Sequence, residues 1–396
     1  MKKKWTMFAC AAMAVVMGSA LFVSCGGSKN YAENNEKFYI GASGPLTGGA
    51  AVYGKAVQNG AQLAVEEINA AGGLDGKQFE FVMMDDSNDD TRVNSNYASL
   101  YEKGMQVSLG CVTTKPCLAF KQLAEEDNLF FLTPSATGDD VIGGGNAYQM
   151  CFSDSGQGTA AAEYVKENVT ESTIGIFYKS DDPYSNGIYQ NFTSTLKNSD
   201  FTFVTTSFTD DTNTDFSSQI NRLKDCKFIF MPIYTEPASL FMMQAKGVIS
   251  DDATYFGCDG FDGIESAFTE TNPISAIPQE ISYLSHFDAT AESGTAKEFI
   301  DSYTAKYGKD TLNQFGAAAY DCVYAIYEAM ETAISGGEEI PVNISASDLC
   351  DILKETFQKE DFTFDGVTGE GIYWSEDGTV NKVPVKYIVK EKNSAA

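Results

Sequence analysis

The residues best placed for chemistry in this sequence are one acid, a few hydroxyls and several aromatic rings, on loops that follow apolar runs. Tyr255-Phe256-Gly257-Cys258-Asp259-Gly260-Phe261 ends such a run with a carboxylate and an aromatic ring. Asp-Gly alone reads as a turn. At the carboxyl end of a strand, a lone carboxylate can also pair with an ammonium. Val112-Thr113-Thr114-Lys115-Pro116 opens a helical stretch, with Pro116 suited to the first helical position and a threonine before it suited to the cap. A helix N-terminus with free N–H groups and a hydroxyl attracts a carboxylate, although capping alone accounts for these residues. Leu132-Thr133-Pro134-Ser135-Ala136-Thr137 is a second such loop, offering a backbone carbonyl and a threonine hydroxyl. By itself it is an ordinary loop.

Other motifs point away from catalysis and metals. Gly49-Ala50-Ala51-Val52-Tyr53-Gly54-Lys55-Ala56 nearly matches a P-loop, but Ala56 stands where the magnesium-binding hydroxyl must be. Its glycines better suit a loop that approaches a ligand, with Tyr53 on the tip. The acidic run Asp85-Asp86-Ser87-Asn88-Asp89-Asp90 has Thr91 and Tyr97 where a calcium loop starting at Asp86 needs glycine and glutamate. It reads as a solvated turn that caps a helix. His286 is the only histidine. No nucleophile and orienting acid can be matched to it, so it reads as structural or superficial. Neither a cofactor nor a metal is expected.

Composition narrows the classes further. The chain has 396 residues, with 27 Lys and Arg against 55 Asp and Glu, for a net charge of −28. A phosphate-binding face needs clustered basic residues, so nucleic acid is excluded as a partner. Lys2, Lys3 and Lys4 precede an apolar run from Met7 to Val23, which is the pattern of an export signal. Leu21-Phe22-Val23-Ser24-Cys25 resembles a bacterial lipobox, with Phe22 a departure from the usual leucine. Residues 1–24 are therefore expected to be cleaved, leaving Cys25 as a lipidated N-terminus and 25–35 as a tether. The bland alternative, an uncleaved anchor, is short for a membrane span. Cleavage removes three lysines and no acid, which moves the net charge to −31. Beyond Cys10 and Cys25 the cysteines are Cys111, Cys117, Cys151, Cys226, Cys258, Cys322 and Cys350. They are scattered and odd in number, so they read as buried free thiols.

These loops must be held by a scaffold, and the sequence describes one. From Phe38 on, strand-like runs alternate with amphipathic helices: 38–42, 79–84, 107–109, 130–133, 174–178, 201–205, 228–232, 255–257 and 281–285 are the strand candidates. In 56–71, Val57, Ala61, Ala64, Val65 and Ile68 recur at helical spacing before Gly72-Gly73 stops the helix. Such alternation predicts parallel sheets covered by helices on both faces. After Ser293 the pattern changes to helices at 293–307, 313–334 and 346–357, a hairpin around 371–380 turned by Glu376-Asp377-Gly378, and a last strand at 385–389. Two sheets in about 350 residues imply two lobes, and doubly wound sheets bind ligands beyond the carboxyl ends of their strands.

Together, Ile40-Gly41-Ala42-Ser43-Gly44-Pro45-Leu46-Thr47-Gly48, Tyr53-Gly54, Gly60 to Gly73, Asp85-Asp86, 133–137, 257–260 and Phe364-Asp365-Gly366-Val367-Thr368-Gly369 resemble one family. It is the extracytoplasmic solute-binding proteins of ABC transporters, of the leucine/isoleucine/valine-binding type, and the likeness runs from about 39 to 389. The resemblance implies a type I periplasmic binding fold: two doubly wound α/β lobes joined by a hinge with three crossings. Lobe one would hold 36–153 and 284–380, and lobe two 154–283 and 381–396. It further implies that Thr114 binds the ligand carboxylate, that Ser135 and Thr137 hold the amino acid backbone, and that Asp259 binds the ammonium. Tyr53, Tyr184, Tyr234 and Phe315, with Phe261 added, would wall the side chain. The disulfide that the family carries near Thr113 has no counterpart here. The implied protein is a monomeric, non-enzymatic receptor for an amino acid, most plausibly aliphatic. It would be tethered to a membrane by lipid and served by permease and ATPase subunits. A different small ligand (an amide, urea, an aromatic acid or a short peptide) and a sensory role beside a membrane receptor are the alternatives.

Overall fold

A computed structural model describes residues 29–392. The expected export signal at 1–24 and Cys25 lie outside the described residues. The chain opens with β1 (Phe38–Gly44), α1 (Ala51–Ala70), β2 (Phe79–Asp85), α2 (Asp90–Glu102), β3 (Val107–Cys111), α3 (Thr114–Glu126), β4 (Phe131–Thr133) and β5 (Ala147–Gln149). Then come α4 (Asp154–Asn168), β6 (Thr173–Lys179), α5 (Pro183–Thr195), β7 (Thr202–Phe208), α6 (Ser217–Leu223), β8 (Phe228–Met231), α7 (Thr235–Gln244), β9 (Thr254–Gly257) and β10 (Glu280–Ser285). The remainder is α8 (Gly294–Tyr307), α9 (Gln314–Ser335), α10 (Ala346–Phe357), β11 (Phe364–Gly366), β12 (Gly369–Ile372) and β13 (Val385–Lys390).

Two sheets result. The first has the order β2-β1-β3-β4-β5 with every pair parallel. The second has the order β13-β10-β9-β8-β6-β7, parallel except where β13 closes antiparallel on β10. Strands such as β1 and β3 are buried along their whole length, as parallel strands covered on both faces must be. The fold is thus the doubly wound α/β class expected. The chain passes from the first sheet to the second between β5 and α4, back between β10 and α8, and over again between β12 and β13. His286 lies on the second passage, edge-on to Phe152 of the first with centroids 5.1 Å apart. Its two ring nitrogens are buried without a partner among the described residues, and burial holds the imidazole well below its ordinary pKa. It is a packing residue.

The helices after β10 return to the first sheet. Ala318, Cys322, Ala325 and Ala329 of α9 share one core with Val57, Ala61 and Ala64 of α1 and with Phe38 and Ile40 of β1. Small residues make that approach possible: a Cβ at Gly60 would sit 1.9 Å from the Gly316 carbonyl oxygen. A Cβ at Gly54 would sit 2.0 Å from the Pro45 carbonyl oxygen, so this glycine seats the first turn of α1 on the loop after β1.

Four local expectations need correction. The three-residue strand β5 went unread because it is too short to show a period. The pairing expected at 371–380 is earlier, between β11 and β12, while the Glu376-Asp377-Gly378 turn closes a single bridge between Trp374 and Val380. The acidic loop is only partly solvated: Asp89 caps α2 by accepting from the Thr91 N–H, but Asp86 is fully buried against the Ser43 hydroxyl. Burial pushes the Asp86 carboxyl up to about 6. Finally, α3 starts at Thr114 with Thr113 as its N-cap, so Pro116 occupies the third helical position, where its missing N–H still costs nothing.

Candidate functional site

The carboxyl ends of both sheets converge on one small cavity. The first sheet and its helices supply Tyr53 from the first turn of α1, Val112 and Thr113 after β3, Ser135 after β4 and Phe315 from the first turn of α9. The second supplies Tyr184 from the first turn of α5, Tyr234 before α7, and Asp259 with Gly260 after β9. The open volume is about 10 Å³, roughly one water molecule. Rings fill the rest. Tyr184 and Tyr234 stack 4.7 Å apart at 8°, and Tyr53 meets Phe315 at 4.8 Å and Tyr234 at 5.5 Å.

Asp259 is the charge at the centre. It is 3% exposed and accepts from the Tyr184 hydroxyl at 2.8 Å and from the Gly260 N–H at 2.8 Å. Its own N–H donates to Gln157 Oε1 at 3.1 Å. Burial pushes its carboxyl up to about 7 against the opposing pull of those hydrogen bonds. Gly260 is required beside it, since a Cβ there would lie 2.6 Å from the Tyr184 hydroxyl.

Tyr53 ties the halves together. Its hydroxyl donates to the Gly260 carbonyl at 2.7 Å and accepts from the Thr235 N–H at 2.9 Å. Farther along the same face, the Asp262 carboxylate accepts from the Gln314 N–H at 2.8 Å. The halves are therefore in contact, and the cavity is closed. Opposite Asp259, Thr113 lines the cavity from the cap of α3, its hydroxyl donating to Asn88 Oδ1 at 2.7 Å. The Ser135 hydroxyl donates to the Val112 carbonyl at 2.7 Å. No hydrogen bond among the described residues ends on the Ser135 carbonyl.

Of the residues singled out from sequence, Tyr53, Ser135, Tyr184, Tyr234, Asp259 and Phe315 line the cavity together. Thr114, Thr137 and Phe261 stand behind it. The Thr114 hydroxyl accepts from the Gly138 N–H at 3.2 Å, which turns it into the first half. The Thr137 carbonyl accepts from the Asp154 N–H at 2.7 Å. Phe261 packs under Gly257 in the core of the second half. Thr113 takes the lining place that sequence gave to Thr114, because the helix begins at Thr114, two residues earlier than Pro116 suggested. Reasoning from sequence also missed Asp154 and Gln157 on the first turn of α4. Asp154 is buried with Oδ1 unpartnered among the described residues, and burial holds its carboxyl well above the ordinary range. Nothing in its local sequence distinguishes it from a helix-start aspartate.

An anion-seeking helix start, a buried acid on the cavity wall and an aromatic box can hold a small dipolar molecule out of water, where charge-assisted hydrogen bonds are strong. Comparison with known proteins bears on that chemistry. Residues 37–388 match the family described as periplasmic binding protein. A Pseudomonas aeruginosa protein named for binding leucine, isoleucine, valine, threonine and alanine is 26% identical over 325 residues, which is 81% of this chain and 84% of its own. The crystal structure of the branched-chain amino acid transporter substrate binding protein LivJ from Streptococcus pneumoniae, in complex with isoleucine, is 29% identical. It superposes with a TM-score of 0.74 over 89% of this chain and 95% of that one. The leucine binding protein LivK from Thermotoga maritima, at 24% identity, shares the fold with a TM-score of 0.77 over 90% of this chain and 96% of its own. The match spans nearly the whole length and the two-sheet architecture agrees with it: the chain belongs to the periplasmic binding protein family, as a substrate-binding protein of an ABC transporter and not an enzyme.

Proposed function

We propose that the protein captures a free α-amino acid with an aliphatic side chain between two lobes and delivers it to a membrane permease with its ATPase. The lobes are 36–153 with 284–380, and 154–283 with 381–396. The observation that carries the reading is the buried Asp259 carboxylate inside a box of rings drawn from both halves. In this reading the ammonium of the ligand sits on Asp259. Its carboxylate meets Thr113, the N–H groups at the start of α3 and the loop at Ser135 and Thr137. Tyr53, Tyr184, Tyr234 and Phe315 wall the side chain, and Thr114 and Phe261 support the walls from behind. The isoleucine held by LivJ and the printed specificity of the Pseudomonas relative support the same ligand class.

A cavity of about 10 Å³ admits no amino acid as it stands, so the ligand enters an open form and the halves close on it with the lining rings moved apart to make room. Micromolar binding requires about −8 kcal/mol. The roughly nine non-hydrogen atoms of leucine, at a ceiling of about −1.5 kcal/mol each, allow this only when both halves contact the ligand. Export and lipidation at Cys25 would hold this receptor outside the cytoplasm as a tethered monomer. Calorimetry of the mature protein against the twenty amino acids tests the proposal. Binding of at least one aliphatic amino acid, lost in Asp259→Ala, is expected; no binding of any amino acid refutes it.

A further inference from the structure

The closed cavity has a much larger neighbour in the same cleft. It measures about 370 Å³, within the roughly 300–1,000 Å³ usual for small-ligand sites. Its walls come from both halves: Gly49, Ala50 and Asn88 on one side, and Asp210, Asn213 and Glu236 among those on the other. Tyr234 borders both spaces. The Tyr234 hydroxyl makes no hydrogen bond among the described residues, so the ring that separates them is held by apolar packing, chiefly against Tyr184 and Tyr53. A second link runs through the wall, since Thr113 lines the small cavity and donates to Asn88, which lines the large one. Asn88 and Ser87 are successive non-glycine residues in left-handed backbone, at φ 62° and 53°, a costly conformation that clusters at functional sites.

The charges on the larger chamber do not balance. Lys179 and Asp210 pair with each other at 2.5 Å. The exposed Glu236 carboxylate, which lies against Gly49 just before α1, has no ion pair or hydrogen bond among the described residues. One negative charge is therefore left facing a space that adjoins the ammonium site.

We propose that this chamber is a side-chain compartment of the ligand site, opened by a swing of the Tyr234 ring, and that it takes α-amino acids whose side chains end in a cation. The inference rests on the amino-acid reading and widens its ligand class beyond aliphatic side chains. The backbone of the ligand stays at Asp259 and Thr113, while the ammonium or guanidinium at its far end meets Glu236 in the chamber.

Calorimetry of the mature protein with L-leucine, L-norleucine, L-lysine and L-arginine tests this, repeated with Glu236→Gln and with Asn213→Trp, which fills the chamber from an exposed loop. Lysine or arginine is expected to bind the wild type, and each variant to weaken that binding by about tenfold or more, the usual worth of a hydrogen bond to a charged group. Leucine affinity should stay within about twofold in both variants, which also reports that they are folded. Leucine binding without lysine or arginine binding overturns the chamber and leaves the aliphatic reading intact. Basic amino acids that bind the variants as well as the wild type overturn the assignment to this cavity. Failure of all four ligands overturns the chamber, and the amino-acid reading falls with it only when none of the twenty amino acids binds.

Discussion

In the closed structure burial disfavours the charge on Asp259 and pushes its carboxyl up to about 7, whereas the unfolded chain releases that proton in the ordinary range near 4. Between those two values the closed form without ligand binds more protons than the unfolded chain, so its stability falls as pH rises through that window. Ligand binding has the opposite sign, because an ammonium pairs with the ionised carboxylate. Affinity should rise with pH up to about 7 and level off above it, by at most about tenfold per unit. Calorimetry in buffers of different ionisation heat should register proton release below that point; an affinity independent of pH would contradict the role. Tyr53→Phe tests the other central side chain. It leaves the Gly260 carbonyl and the Thr235 N–H unpaired in the closed form, a loss of about 1–3 kcal/mol. Binding should weaken by roughly five- to hundredfold with the thermal stability of the open form little changed.

The elements are tied to the site through α1. Its first turn carries Tyr53, and its seat depends on Gly54 and Gly60. Gly60→Ala would drive a Cβ onto the Gly316 carbonyl, a backbone atom that cannot swing aside. A loss of about 1–3 kcal/mol is expected, read as a lower melting temperature, and an unchanged melt would contradict the packing described. At this scale the sequence was informative wherever a period was long enough. The nine strand candidates each found a strand, and the loops beyond them carry the lining residues, because parallel strands and their covering helices impose apolar runs of readable length. Legibility failed where one residue mattered. Thr113 and Thr114 are chemically equivalent in sequence, and a helix start is uncertain by about a residue, yet that residue decides which hydroxyl lines the cavity. Phe261 failed for a different reason: the 3₁₀ turn at Asp259–Phe261 rotates it into the core. Asp154 and Gln157 could not be found at all, since their meeting with Asp259 is made only when α4 and β9 fold together.

For the molecule as a whole, the account requires two halves that open. The contacts that close them include hydrogen bonds of the Tyr53 hydroxyl with Gly260 and Thr235 and of Asp262 with Gln314, and the Tyr53 ring against Tyr234. Relative motion is the ordinary behaviour of two domains joined by such contacts. Saturating ligand should therefore lower the radius of gyration measured by solution X-ray scattering, whereas the same value with and without a bound ligand would contradict closure. The large acid excess disfavours self-association and agrees with a receptor that works as a monomer. The most direct test of the central claim is a crystal structure of the protein grown with L-leucine. The account predicts the ligand nitrogen within about 3 Å of the Asp259 carboxylate, its carboxylate at Thr113 and the start of α3, and the Tyr53 hydroxyl still on Gly260. A ligand bound elsewhere, or an Asp259 that touches no part of it, would contradict the account.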